Sequence, residues 1–334
     1  MSDLKIELEA NNNNLLVYNP GHELKGFVEF SLNEITKFRG CYIVINGIVK
    51  TNWTNPNDSS TYYQGEEILL NTKIYLFGSD DDEILEIPDG LHRYDFNSQL
   101  PESLPSTIDL IYGNISYYVE AFLEIPYEYP KETKKCFTIK RVDDLNQIQE
   151  LRLAQKIEER RNFHCFCCKL GVLQITVTIP HGGFAKGQAI PINIYYRNHS
   201  SVWVNNTIIK LRRVMTFKCQ IPWERTKIDE VTLIEIVRRG VTNHENINLD
   251  YNIAVPRNSV NSNARYCKII QIEYFVRIEG IVDQFHTNII VDIPIEIGSI
   301  GISGDETLGQ MQGREIGDID LPPTFDHALN MAAI

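Results

Sequence analysis

Residues 179–187 read Ile-Pro-His-Gly-Gly-Phe-Ala-Lys-Gly and lead into the alternating segment 190–194, Ile-Pro-Ile-Asn-Ile. A similar order stands near the start of the chain, where residues 19–26, Asn-Pro-Gly-His-Glu-Leu-Lys-Gly, precede Phe-Val-Glu-Phe at 27–30. A repeat whose period is about half the chain indicates tandem domains, because solenoid repeats are only about 20–50 residues long. The segment between the two copies, from Arg141 to Gly171, is therefore the predicted domain boundary.

Length and composition agree with this interpretation. A chain of 334 residues corresponds to roughly two domains. With 43% hydrophobic and 23% charged residues, it has the composition of an ordinary soluble globular protein. The net charge of −12 argues against a nucleic-acid-binding protein, although the part from Gly301 onward contributes −5 of it. Because residues 1–5 lack a signal-peptide pattern and the seven cysteines are odd in number, we expect a cytoplasmic protein.

Alternation of apolar and polar residues predicts strands through most of both halves. Residues 173–179 alternate Leu, Ile, Val and Ile with Gln, Thr and Thr, and residues 289–297 place Val291, Ile293 and Ile295 on one face. Pro294 lacks the N–H that a sheet ladder needs, so we expect the last strand to lie at an edge. Many short strands between Pro, Gly and Asn turns predict a sandwich. The predicted fold class is all-β, with two tandem immunoglobulin-like β-sandwich domains.

One segment between the halves has a helical composition. Residues Asp144 to Arg161 carry Leu145, Ile148 and Leu151 among Gln, Glu and Arg, and we predict a linker helix there. The predicted boundaries are 1–143 for the first domain, 144–170 for the linker, 171–300 for the second domain and 301–334 for an acidic disordered tail.

The sequence contains no motif for catalysis. The glycine signatures of nucleotide-binding loops and the Gly-X-Ser-X-Gly nucleophile elbow are absent, so we expect no enzyme and no cofactor. Cys165, Cys167 and Cys168 suggest a zinc site, but no second ligand pair stands at a suitable spacing, and no metal is expected. Two interpretations of this cluster stay open. The cysteines are S-acylated, since charged residues flank them, or they are reduced thiols packed at the domain junction.

Basic residues cluster near the end of the first half. Candidates for binding phosphate or an acidic partner are Lys134, Lys135, Lys140 and Arg141, because Lys and Arg pair with phosphorylated tails. A second basic group lies at residues 210–218. The alternative is that both groups are the solvated faces of strands.

The C-terminal segment contains a motif for partner binding. Pro322 and Pro323 favour the polyproline II conformation that the aromatic grooves of WW domains accept. Phe325 takes the place of the Tyr that ends the usual ligand. Loss of that hydroxyl costs about 1–3 kcal/mol if it leaves a buried partner unpaired.

Several short segments occur in a characteristic order, and with their spacing the chain resembles the α-arrestin (arrestin-domain-containing, thioredoxin-interacting-protein-like) family over residues 5 to about 302. The segments are Tyr18 to Gly21, Gly90 to Phe96, Leu100 to Ser106, Gly113 to Tyr117, Val142 to Asn146, Cys167 to Gly171 and Ile293 to Gly298.

The resemblance implies a non-enzymatic adaptor built from two arrestin-type β-sandwiches. Such adaptors bind cytoplasmic tails of membrane receptors or transporters and regulate their trafficking, endocytosis or ubiquitination. They recruit WW-domain, HECT-type ubiquitin ligases through Pro-Pro-X-Tyr motifs, from which this chain departs at Phe325. The expected location is the cytoplasm, with recruitment to the plasma membrane and endosomes, and nucleic acid is not an expected partner. The alternative with the same fold is a structural scaffold or coat subunit, such as the arrestin-fold subunit of retromer.

Overall fold

Strands make up nearly all of the regular structure. A computed structural model describes residues 4–10, 15–55, 58–79, 84–165, 168–283 and 286–302. Within these ranges the chain forms 20 strands and two short 3₁₀ helices, and no α-helix. The predicted all-β fold class with two tandem sandwiches is confirmed.

The first sandwich contains the strands up to residue 139. They are β1 (Lys5–Leu8), β2 (Val17–Tyr18), β3 (Glu23–Leu32), β4 (Thr36–Phe38), β5 (Gly40–Asn55), β6 (Asp58–Gly78), β7 (Leu85–Ile87), β8 (Gly90–Gln99), β9 (Ile108–Leu110), β10 (Gly113–Glu124) and β11 (Lys131–Ile139). One sheet has the order β1-β3-β8 and the other β2-β11-β10-β5-β6, with β9 beside β10, while β4 and β7 pair separately. Side chains along β10 alternate between buried and half-buried, so one face of that strand lies in the core with Phe30, Ile43 and other buried residues.

The second sandwich contains the remaining strands. They are β12 (Gln155–Cys165), β13 (Cys168–Ile179), β14 (Gly183–Ala185), β15 (Ala189–Ser200), β16 (Val204–Cys219), β17 (Arg225–Val241), β18 (Asn246–Ala254), β19 (Ile270–Ile281) and β20 (Ile289–Gly298). One sheet has the order β12-β13-β15-β18 and the other β14-β20-β19-β16-β17.

The last strand, β20, shows how well alternation predicts burial. Val291, Ile293 and Ile295 are buried on one face, as predicted. The predicted edge position is only partly right, because the short strand β14 pairs with β20 in parallel from Glu296 to Gly298. Pro294 lies just before this pairing begins, so its missing N–H breaks no ladder contact with β14.

The predicted helix from Asp144 to Arg161 is wrong. Two 3₁₀ helices, η1 (Leu145–Gln147) and η2 (Gln149–Arg152), precede strand β12, which pairs with β13 throughout its length. Leu145, Ile148 and Leu151 are spaced by three, the period of a 3₁₀ helix, and Leu145 and Leu151 pack with Ile302 in a small apolar cluster. Residues 155–165, placed in the linker by the sequence, thus belong to the first sheet of the second sandwich.

The two sandwiches are joined by side-chain to backbone contacts. Thr51 Oγ1 of the first donates to the Lys218 carbonyl of the second at 2.7 Å. Glu67 of the first accepts from the N–H groups of Lys268 at 2.8 Å and Ile269 at 3.1 Å. These contacts link β5 and β6 to the second domain.

Candidate functional site

Arg141, just after β11, makes the central polar contact between the domains. Its Nη2 donates to the Tyr266 hydroxyl at 2.9 Å, and the guanidinium lies 3.8 Å from the centre of that ring. Its Nε donates to Asp143 Oδ1 at 2.9 Å, and its backbone N–H donates to Ser106 Oγ at 2.9 Å. Because a guanidinium offers five donors in a fixed plane, this one side chain holds residues of both sandwiches together.

Asp143 extends the same network into the second domain. Its Oδ2 accepts from Asn261 Nδ2 at 2.6 Å, and its backbone carbonyl accepts from the N–H groups of Ser299 at 2.9 Å and Ile300 at 3.0 Å. The Asp143 carboxylate therefore pairs with Arg141 and with the loop between β18 and β19 at once.

Two cavities lie on either side of the Arg141–Tyr266 contact. One of about 310 Å³ is lined by apolar groups of the linker and the second sandwich, among them Leu145, Ile148 and Pro294. The other, of about 290 Å³, is lined by Ser106, Lys140, Lys186 and the loop residues 259–263. Both are lined by Arg141 and Asp143, so the two cavities adjoin the same polar network.

Two lysines, Lys140 and Lys186, line the second cavity and form what we call its basic rim. Among the residues that the structure describes, neither lysine forms an ion pair. Burial lowers the pKa of Lys186, Asp143 partly offsets this, and repulsion from Lys140 lowers the pKa further. The basic rim therefore holds two lysines without a direct ion pair to a described residue, and Asp143, which pairs with Arg141, offsets their charge only in part.

The structure separates the four cations that the sequence grouped. Lys134 lies 3.6 Å from Glu120 and over the ring of Tyr118, at 3.2 Å. Lys135 pairs with Glu7 at 3.1 Å. Only Lys140 and Arg141 reach the junction. The second basic group is also paired in part, since Lys210 contacts Glu279 at 3.0 Å.

Sequence reasoning missed one member of the basic rim, Lys186. It is far from Lys140 along the chain, and chain folding brings the two lysines together. The repeat offered a partial signal, because Lys186 stands in the segment 179–187 that matches the earlier segment 19–26.

An aromatic cluster lies where the β5–β6 hairpin meets the β16–β17 turn, with Trp53 and Tyr63 buried and Trp223 exposed. Trp53 stacks on Tyr63 at 5.6 Å, and Tyr63 meets Trp223 edge-on at 5.8 Å. Gln64 and Ile221 exchange two backbone hydrogen bonds, at 2.9 and 3.0 Å. Trp223 is 50% exposed, so this end of the junction also offers apolar surface to a partner.

Some predicted site residues fall outside the described residues. Pro322, Pro323, Phe325 and Cys167 are among them, and for Cys165 and Cys168 only the backbone ends of β12 and β13 are described. Within the described ranges, no group of three or more His, Cys, Asp or Glu side chains is arranged to hold a metal ion. The helices described here include none that is long and apolar enough to cross a membrane.

Comparisons with known proteins match both halves of the chain. The family described as arrestin (or S-antigen), N-terminal domain, matches residues 4–146, and the arrestin C-terminal domain matches residues 169–302. Arrestin domain-containing protein 17 of Caenorhabditis elegans is 26% identical over 308 residues, which cover 86% of this chain and 69% of that protein. Human thioredoxin-interacting protein is 24% identical over 317 residues, covering 91% and 78%. Mouse arrestin domain-containing protein 1 is 24% identical over 303 residues, covering 90% and 65%.

Proposed function

Because this chain belongs to the α-arrestin class of the arrestin family, we propose that it is a non-enzymatic adaptor for membrane proteins. It binds acidic or phosphorylated segments in the cytoplasmic parts of receptors or transporters and so regulates their trafficking. The segment from Leu321 to Asp326 serves as a weak ligand for WW domains of HECT-type ubiquitin ligases.

One observation supports the binding proposal above all others: the basic rim at the interdomain cavity. Lys140 and Lys186 line this cavity and form no ion pair with a described residue in a protein whose net charge is −12. A bound carboxylate or phosphate would oppose the repulsion between the two lysines and stabilise their charged forms. We therefore expect an acidic peptide to bind at this rim.

The binding test uses a fluorescent acidic peptide that carries phosphoserine. Charge reversal of two rim residues together, Lys140→Glu and Lys186→Glu, should weaken binding at least roughly tenfold, because about 1 kcal/mol or more per charged contact is lost. Lys156→Glu is the matched control, since Lys156 is exposed on β12 and forms no ion pair with a described residue. Equal binding by the double variant and the control would refute the proposed site.

The adaptor role needs a second measurement with the full chain. Affinity capture from detergent-solubilised membranes should recover transmembrane proteins, and the rim double variant should recover fewer of them. Failure to recover any transmembrane protein would end the adaptor proposal. Co-purification in one stable complex of defined composition would instead indicate a scaffold or coat subunit.

A further inference from the structure

Strand β17 is a long, open edge of the second sandwich. It spans Arg225–Val241, 17 residues, and stands last in its sheet. It pairs with β16 on one side, and no strand of the described chain pairs with it on the other. Every second backbone N–H and C=O along that side is therefore available to another strand.

The edge is also unusually apolar for an open one. Six aliphatic side chains lie between residues 228 and 237. Three of them, Ile228, Val231 and Val237, are exposed, and the other three are half-buried and pack against the core. Ile228 is 62% exposed and Val237 51%. Single exposed aliphatic residues are common on protein surfaces, but a row of them on an open strand edge marks an interaction site. The six are Ile228, Val231, Leu233, Ile234, Ile236 and Val237.

The charges on β17 are arranged symmetrically about Ile234. Asp229-Glu230-Val231 stands on one side and Val237-Arg238-Arg239 at the same distance on the other. A second copy of the strand, laid antiparallel, places acids opposite arginines at both ends and valine near valine. A strand of another protein would need acidic and basic residues in the same order to pair as well. The charge pattern of β17 is therefore complementary to that of a second copy of β17.

A β-bulge changes the register by one residue and keeps one of the two acid–arginine pairs directly opposite. Leu211 pairs with Ile234 and Arg212 with Thr232, which leaves Leu233 without a register partner on β16. If Leu233 is left out of the pairing in both copies, Asp229 of one copy stands opposite Arg238 of the other. The two side chains then lie on the same face of the sheet. Glu230 then stands diagonal to Arg239, still within reach of a long side chain.

The ion pairs within one copy do not involve the two residues of the Asp229–Arg238 contact. Glu230 contacts Arg212, and Arg239 lies 3.6 Å from Glu245. Asp229 and Arg238 form no ion pair with a described residue. They are the two charges that a second copy would neutralise.

We propose that β17 is a homodimer interface, through which two copies join antiparallel and extend their five-stranded sheets into one. This inference does not depend on the proposed adaptor function. A single strand pair buries less than the roughly 1,200–2,000 Å² of a typical stable interface, so the dimer is weak and depends on concentration. Its affinity lies in the micromolar range or weaker.

The test is sedimentation of the full-length chain over a range of concentrations. Asp229→Arg and Arg238→Asp, each alone, should weaken self-association roughly tenfold, since two attractive cross-strand pairs become repulsive. An equimolar mixture of the two variants should recover the wild-type affinity, because each then supplies the charge that the other needs. Asp109→Arg, an equal charge change on the exposed strand β9, should leave self-association unchanged.

Recovery in the mixture also shows that both variants are folded. A wild-type chain that stays monomeric at every concentration would overturn the proposal. So would a dimer that neither variant weakens, or one that the mixture fails to restore, because either result places the contact elsewhere.

Discussion

At the residue scale, His181 is a buried imidazole with an unusual environment. Its ring lies 4.4 Å from the ring of Phe184, and Nδ1 has no hydrogen-bond partner among the described residues. Burial lowers the pKa of His181 below its ordinary 6.5, and a backbone hydrogen bond at Gly183 offsets part of this. The folded protein therefore takes up this proton at a lower pH than the unfolded chain.

The lowered pKa of His181 makes the stability of the folded protein depend on pH. Between the lowered pKa and 6.5 the unfolded state binds more protons, so stability falls as pH is lowered through this window. We expect the free energy of unfolding, measured by urea titration from pH 8 to pH 5, to decline below pH 6.5. In His181→Gln this decline should be smaller, and an unchanged slope would contradict the assignment.

Phe325→Tyr is a prediction for partner binding. The substitution restores the hydroxyl of the usual Pro-Pro-X-Tyr ligand, and binding to an isolated WW domain should strengthen by about 1 kcal/mol or more, roughly fivefold to tenfold. Calorimetry with the full chain measures it, and Phe325→Leu is the control. If Tyr gives no gain, the segment is not a WW ligand.

At the element scale, the 3₁₀ linker is held by a few apolar side chains. Leu145 packs with Leu151 and Ile302, and it also contacts the backbone near Gly183 and Gly298. Leu145→Ala should therefore cost about 2–3 kcal/mol, the low end for a buried leucine, because the cluster is small. Leu153→Ala, in the same linker but 68% exposed, should cost little. Equal losses in urea denaturation would show that the linker is not docked through Leu145.

Residues 144–161, which the sequence wrongly predicts as a helix, show how pairing with a neighbouring strand overrides local preference. Gln, Glu and Arg favour a helix locally, but that preference is worth only tenths of a kcal/mol per residue. Pairing of residues 155–165 with β13 offers a ladder of hydrogen bonds and buries Phe163. Tertiary pairing therefore decides the conformation.

At the scale of the whole molecule, Glu67 couples the two domains. Its carboxylate accepts two backbone N–H groups of the other sandwich, at 2.8 and 3.1 Å. Glu67→Ala leaves these donors without that partner, at a cost of about 1–3 kcal/mol. We expect thermal unfolding to begin earlier and to become less cooperative, as the domains unfold more independently. Glu86→Ala removes only an exposed pair with Lys37, at 3.4 Å, and should leave the transition unchanged.

The all-β class, the repeat and the buried faces of strands such as β20 follow from the amino-acid sequence. These depend on side-chain alternation, which is a local property of two residues. Tertiary contacts determine which cations stay unpaired, since Lys134 and Lys135 are neutralised by partners on other strands while Lys140 lies near Lys186 at the junction cavity. Strand register and domain packing set those contacts between residues far apart in the chain, and no local pattern encodes them.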